Sequence, residues 1–205
     1  AMCAALGTPF EISAAAHLQE PFVLHLSDAD LSAAGASVTA LRIENFTSSV
    51  TYRTDELKKI LKPFGDISVL EGGQSRLFWS DMRQLKILQH SNDTLWRLSV
   101  PPKSGADVVE SIRAHHPTCA AVYDWSGGLI WLLVPPISDA GASEVRRAVG
   151  SSGGHATLIR ADVATRAAVD VFQPLESGVA ALSKRIKAAF DPHGILNPGR
   201  MHAGV

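Results

Sequence analysis

Cys119-Ala120-Ala121-Val122-Tyr123-Asp124-Trp125 and Leu129-Ile130-Trp131-Leu132-Leu133-Val134, joined by Ser126-Gly127-Gly128, form the stretch whose reading decides the fold. Two apolar runs of this length, separated by a turn whose glycines accept a positive φ, predict an antiparallel hairpin. Upstream, Leu95-Trp96-Arg97-Leu98-Ser99-Val100 alternates in polarity and stops at Pro101-Pro102, which predicts a strand. Between the two, residues 106–115 place Val108, Val109 and Ile112 on one helical face. Downstream, residues 144–149 read as a helix, 150–154 as a glycine-rich break and 155–159 as a strand. The elements alternate without the strict βα repeat of a dinucleotide-binding fold. The predicted class is therefore α+β, a ferredoxin-like antiparallel sheet with helices packed on one face.

The flanks add further elements. Residues 1–17 read as a short helix and an extended connector, 22–26 as a strand and 27–37 as a loop. Val38 to Ile43 alternates as a strand, and residues 50–61 predict a helix with Leu57, Ile60 and Leu61 on one face. Ile67 to Leu70 is a short strand candidate. Residues 75–88 carry Leu77, Phe78, Met82, Leu85 and Leu88 at helical spacing. A last helix spans 175–190, with Val179, Leu182 and Ile186 expected to face inward. No domain boundary is expected within 20–170.

With 205 residues, 46% of them hydrophobic, the chain is long enough to bury a substantial core. Its net charge of -1 leaves no basic excess to neutralise phosphates, which argues against nonspecific nucleic-acid binding. Aromatic RNA-binding words are absent from the strands. The two cysteines, Cys3 and Cys119, give no disulfide framework and suit a reducing compartment. The longest apolar runs fall far short of the roughly 20 residues needed to span a bilayer. The start of the chain shows no secretory signal, and its opening on Ala1 reads as that of a fragment.

The end of the chain, Phe190-Asp191-Pro192-His193-Gly194-Ile195-Leu196-Asn197-Pro198-Gly199-Arg200-Met201, is too restrained for a free tail. Its prolines fix φ, its glycines admit conformations closed to other residues, and Asn197 is a residue that bonds its own backbone in turns. Following a basic amphipathic helix, it reads as a rigid strap that docks on another surface. The stretch strongly resembles the C-terminal signature of FAD-linked oxidases of the vanillyl-alcohol oxidase type. There the strap leaves the cap, or substrate, domain and returns to the flavin-binding domain. Residues 95–102 (LWRLSVPP), 123–131 (YDWSGGLIW) and 153–160 (GGHATLIR) resemble, more narrowly, the FAD-binding subunits of bacterial glycolate oxidases. Residues 4–10 and 41–44 are compatible with the same resemblance.

The resemblance implies the C-terminal half of such a subunit. Residues 1–17 are then a connector from a missing N-terminal FAD-binding domain, 18–174 the cap domain, and 175–205 the helix and tail returning toward the FAD domain. The implied cofactor is FAD, held mainly by the missing domain. Gly72-Gly73 is too short for a pyrophosphate loop, and Gly150 to Gly154 reads as an ordinary loop. The implied reaction is oxidation of glycolate to glyoxylate, with no activity expected of the isolated chain. The implied partners are a homologous FAD subunit and an iron–sulfur subunit. The implied location is cytoplasmic, with the complex peripheral to the inner face of the plasma membrane. A noncatalytic interaction or electron-relay module, stabilising the same complex, is the alternative that stays open.

Arg97 lies on an alternating strand, where its planar donor fork suits a carboxylate or the flavin, against a solvated sheet residue. His155 follows two glycines at the start of a strand and is the second candidate for substrate. Asn197 and Arg200 are the candidates for positioning the flavin-side interface. Arg42 has the same two readings as Arg97, and Arg160 reads as a surface ion pair with Asp162. Trp125 and Trp131, on either side of the hairpin turn, are expected to pack, and Asp124 to serve the turn. His115-His116-Pro117 lacks a second ligand pair, so no metal site is expected. His193 reads as surface.

Overall fold

The computed structural model describes residues 1–202, so the last three positions of the expected 175–205 segment lie outside the described residues. Six strands form one antiparallel sheet: β1 (Ala14–Leu18), β2 (Val38–Arg42), β3 (Thr94–Ser99), β4 (Ala120–Asp124), β5 (Leu129–Val134) and β6 (His155–Arg160), in the order β2-β1-β4-β5-β3-β6. The helices are α1 (Met2–Leu6), α2 (Glu20–Val23), α3 (Ala29–Ser32), α4 (Thr47–Leu61), α5 (Gly72–Gln84), α6 (Gly105–Arg113), α7 (Ala142–Ser151), α8 (Val163–Ala168) and α9 (Ser177–Phe190). From β3 to β6 the chain runs β3-α6-β4-β5-α7-β6, and these strands lie in the order β4-β5-β3-β6. That is the ferredoxin-like βαββαβ arrangement, extended at the β4 edge by β1 and β2.

The fold is mixed α/β with an antiparallel sheet and packed helices, but the helices cover both faces of the sheet rather than one. On one face α6 and α7 bury Val109, Ile112, Val145 and Val149 against Trp96, Leu98, Ile130 and Leu132. On the other, α2, α5 and the turn at 86–88 bury Phe22, Phe78, Met82 and Leu88 against Leu18, Leu95, Val122 and Leu133. Alternate residues of β3 and β5 thus belong to different cores, as a period of two requires.

Several local expectations shift. Residues 14–17, at the end of the expected connector, form a strand with Leu18 that pairs with β2 along its length and with β4 at His17 and Leu18. Residues 22–26 are not a strand. Pro21 sits at the start of a helical turn, a position where its missing N–H costs nothing. The segment is then pinned to α5 and the turn after it: the Ser27 N–H donates to Asp81 at 2.7 Å, and Lys86 Nζ donates to the Ser27 hydroxyl at 2.6 Å. The helix expected over 75–88 ends at Gln84, because Leu85 turns left-handed with φ 51°. Residues 67–70 join no sheet. The largest departure is α9, none of whose residues is buried. Val179, Leu182 and Ile186, expected inward, are each about half exposed.

Candidate functional site

Strand register decides which side chains share a face. Arg97 pairs with Trp131 on β5 and with Thr157 on β6, and Ser99 pairs with His155. Directly opposed residues of an antiparallel pair point the same way. Arg97, Trp131, Thr157 and His155 therefore share the face that carries Leu95 and Leu133. Helix α5 and the 86–88 turn cover only the Leu95–Leu133 end of that face, leaving the other end open. On the same face, toward β1 and β2, a cleft of about 1160 Å³ lies between α5, the β4–β5 turn and the ends of β1 and β2; Trp131 lines it, whereas Arg97, Thr157 and His155 do not.

Each wall has a sequence cause. Arg76, Trp79, Ser80 and Arg83 recur at intervals of three and four, so α5 turns one stripe of indole and guanidinium groups to the cleft. Asp124, Trp125 and Trp131 supply the hairpin wall, and Arg42 the sheet edge. Arg42 is already paired with Glu44 at 2.7 Å. Burial pushes the Asp124 carboxyl above its ordinary value, partly offset by the Trp125 N–H that it accepts at 2.7 Å. Asp124 thus serves the turn as expected. Trp125 does not pack as expected: it is 63% exposed, with the Arg97 Cζ 5.9 Å from its ring centre. Trp131 is half-buried against the core.

His155 is placed by its neighbour. A Cβ on Gly154 would stand 2.3 Å from the Ser99 carbonyl oxygen, so only glycine lets β6 begin this close to β3. His155 itself is exposed on the open face.

Asn197 and Arg200 lie in the tail, where Gly194, Asn197 and Gly199 all have positive φ. The side chain that shapes this tail is one that the sequence reading passed over. Asp191 accepts the N–H groups of Ile195 at 2.9 Å and Leu196 at 2.8 Å, and pairs with Lys187 at 2.6 Å. The Lys187 hydrogen bond, followed by the two N–H groups, holds its carboxyl down to about 2. The signal was available as Lys187 one helical turn before an Asp-Pro. Asn197 contributes a left-handed backbone and a carbonyl that accepts the Arg200 N–H at 3.3 Å.

Other candidates resolve as structural. Arg160 donates to the carbonyls of Asp93 and Leu88, while Asp162 caps α8 through Thr165. His115 Nδ1 lies 3.2 Å from the Ser111 carbonyl, and His116 Nε2 lies 3.6 Å from Glu144, so the pair diverges. Among the described residues no group of three or more His, Cys, Asp or Glu is arranged to hold a metal, and no helix is long and apolar enough to cross a membrane.

The cleft fits one part of a flavin and not another. Its indoles and arginines suit a planar ring with polar edges. A pyrophosphate cradle would need a glycine-rich loop leading from a strand into a helix. Gly72-Gly73 instead follows an unpaired segment, and Gly150 to Gly154 leads from a helix into a strand.

Residues 175–201, which include α9 and the Asp191-ordered tail, match the family of FAD linked oxidases, C-terminal domain. The family match rests on this C-terminal stretch of the chain. At finer grain, the chain is 32% identical over 127 residues to the glycolate oxidase subunit GlcE of Escherichia coli (strain K12). That match covers 62% of this chain and 31% of the relative, so the matched stretch spans about a third of that protein.

Proposed function

We propose that this chain is the cap half of an FAD-dependent oxidoreductase subunit that oxidises a 2-hydroxy acid of the glycolate type, giving glyoxylate from glycolate. The observation that carries the reading is α9 with its tail: an amphipathic helix bearing the FAD-linked oxidase match, yet with its apolar stripe in solvent. Such a face is expensive to leave uncovered, and a flavin-binding domain outside this chain is the surface that covers it. In this division residues 1–17 lead in from the FAD domain, 18–174 form the cap and 175–205 return to the FAD domain.

FAD, when bound, supplies the hydride-accepting chemistry. The residues of this chain bind and orient. Arg97 and His155, which share the open face of the sheet, are proposed to meet the carboxylate and hydroxyl end of the substrate. Asn197 and Arg200, presented by the ordered tail, are proposed to position the flavin-side interface. Partners would be a homologous FAD subunit and an iron–sulfur subunit, a proposal supported by the similarity to a glycolate oxidase subunit. The complex would work in the cytoplasm, peripheral to the membrane.

A second reading has its own support. Asp124, an acid that lines the cleft, is occupied by the turn, which favours a chain that leaves the catalytic base to another subunit and serves electron relay or assembly. Two measurements on the subunit joined to its N-terminal half test both. The absorption spectrum and an FAD titration should show stoichiometric flavin in the joined protein and none in this chain; stoichiometric flavin in this chain alone sinks the domain division. Arg97→Ala should slow flavin reduction by glycolate at least ten-fold. Unchanged reduction with loss of subunit assembly would favour the relay reading.

A further inference from the structure

Trp125 has no structural account in the fold. It is a bulky residue at φ 46°, and it opens a run of three left-handed residues with Ser126 (φ 63°) and Gly127 (φ 97°). Bulky side chains rarely occupy this region, and such backbones persist where the surroundings over-determine them, most often at sites. The surroundings here do so. The Asp124 carboxylate accepts the Trp125 N–H at 2.7 Å, and the Trp125 carbonyl accepts the Gly128 N–H at 3.1 Å. The turn is clasped from outside as well: a Cβ on Gly127 would lie 2.9 Å from the Pro102 carbonyl oxygen, and one on Gly105 would lie 2.4 Å from the Gly127 carbonyl oxygen.

All this ordering ends in exposure. The indole stands 63% exposed on the wall of the cleft. One side is met by Arg97, whose Cζ lies 5.9 Å from the ring centre. A guanidinium held over an aromatic face fixes the ring and leaves the opposite face free.

We infer that Trp125 is the ring platform of the cleft, and that the planar, electron-poor isoalloxazine of the flavin carried by the FAD-binding half stacks on its free face. Arg97 acts in part through it, as the residue that sets the angle of the indole. The inference rests on the proposed flavin-subunit reading and adds the contact.

The test is flavin emission rather than turnover, because an indole in van der Waals contact quenches flavin fluorescence. The subunit joined to its FAD-binding half is loaded with FAD, and steady-state emission and lifetime are compared for the unsubstituted protein, W125A, W125F and, as a comparator on the same wall, W131F. Loss of the stack in W125A is expected to raise bound-flavin emission at least five-fold, with W125F intermediate and W131F close to the parent. Thermal unfolding of W125F should match the parent, so a W125A that fails to fold leaves W125F to decide. Bound FAD whose emission is the same in the parent and W125F overturns the inference while leaving the flavin reading intact. A joined protein that takes up no FAD overturns both.

Discussion

Asp191 joins α9 to the strap that follows it, and its chemistry fixes how the tail responds to acid. Its folded-state carboxyl titrates at about 2, below the ordinary aspartate value of about 3.9, because Lys187 and two backbone N–H groups favour the ionised form. A group depressed in this way contributes fully above the ordinary value and loses its contribution as pH falls through the folded one. Protection of the Ile195 and Leu196 amides against hydrogen exchange should therefore hold from neutrality to about pH 4 and disappear between about pH 4 and pH 2. Asp191→Asn keeps one acceptor oxygen but loses the charge; at pH 7 these two amides should exchange at least ten-fold faster while the amides of β3 and β5 are unaffected. Equal protection in the variant would mean that the prolines alone hold the strap.

At the scale of elements, α9 separates stability from assembly. Val179, Leu182 and Ile186 recur at helical spacing, the pattern that normally marks a core-facing stripe, yet all three are half exposed. Leu182 and Ile186 belong to neither hydrophobic core of the described residues, so replacing both with glutamine opens no core cavity. The double variant should keep its urea midpoint, with a change in unfolding free energy within about 0.5 kcal/mol. Burial of one such side chain at an interface is worth about 1.5–3 kcal/mol, so the same variant should weaken association with a separately made FAD-binding half by at least a hundred-fold in titration. A large loss of stability with unchanged association would place the stripe in a core after all. Helix α5 poses the opposite case: Phe78 and Met82 are buried on one side, while Arg76 and Arg83 turn to the cleft on the other. Its core side was legible as period, but its cleft side was not, because an exposed arginine stripe has the same sequence signature as a solvated face.

For the whole molecule, the sheet is shared by two cores, with Leu98 in one and Phe78 in the other. Leu98→Ala should cost about 2–5 kcal/mol and Phe78→Ala about 3–5 kcal/mol, each by opening a cavity. Because Leu95 and Trp96 tie adjacent positions of one strand to opposite layers, both variants should lower a single unfolding transition, seen alike by circular dichroism and tryptophan emission. Two separate transitions would show that the layers unfold independently. The hairpin, the strand before Pro101-Pro102, the helices of the βαββαβ unit and the strap were all legible in the sequence, since each follows from short-range period, proline placement or glycine turns. Strand β1 was not, because Ala14-Ala15-Ala16 has no alternation to read and pairs only through partners 24 or more residues away. The sequence by itself determined the antiparallel α+β class and the restrained, flavoprotein-like tail. Only the tertiary structure decided that both sheet faces are covered, that Arg97 lies over an exposed Trp125, and that no residue of α9 is buried among the described residues. The physical reason is that period fixes which residues share a face, whereas what covers that face depends on contacts between segments far apart in the chain.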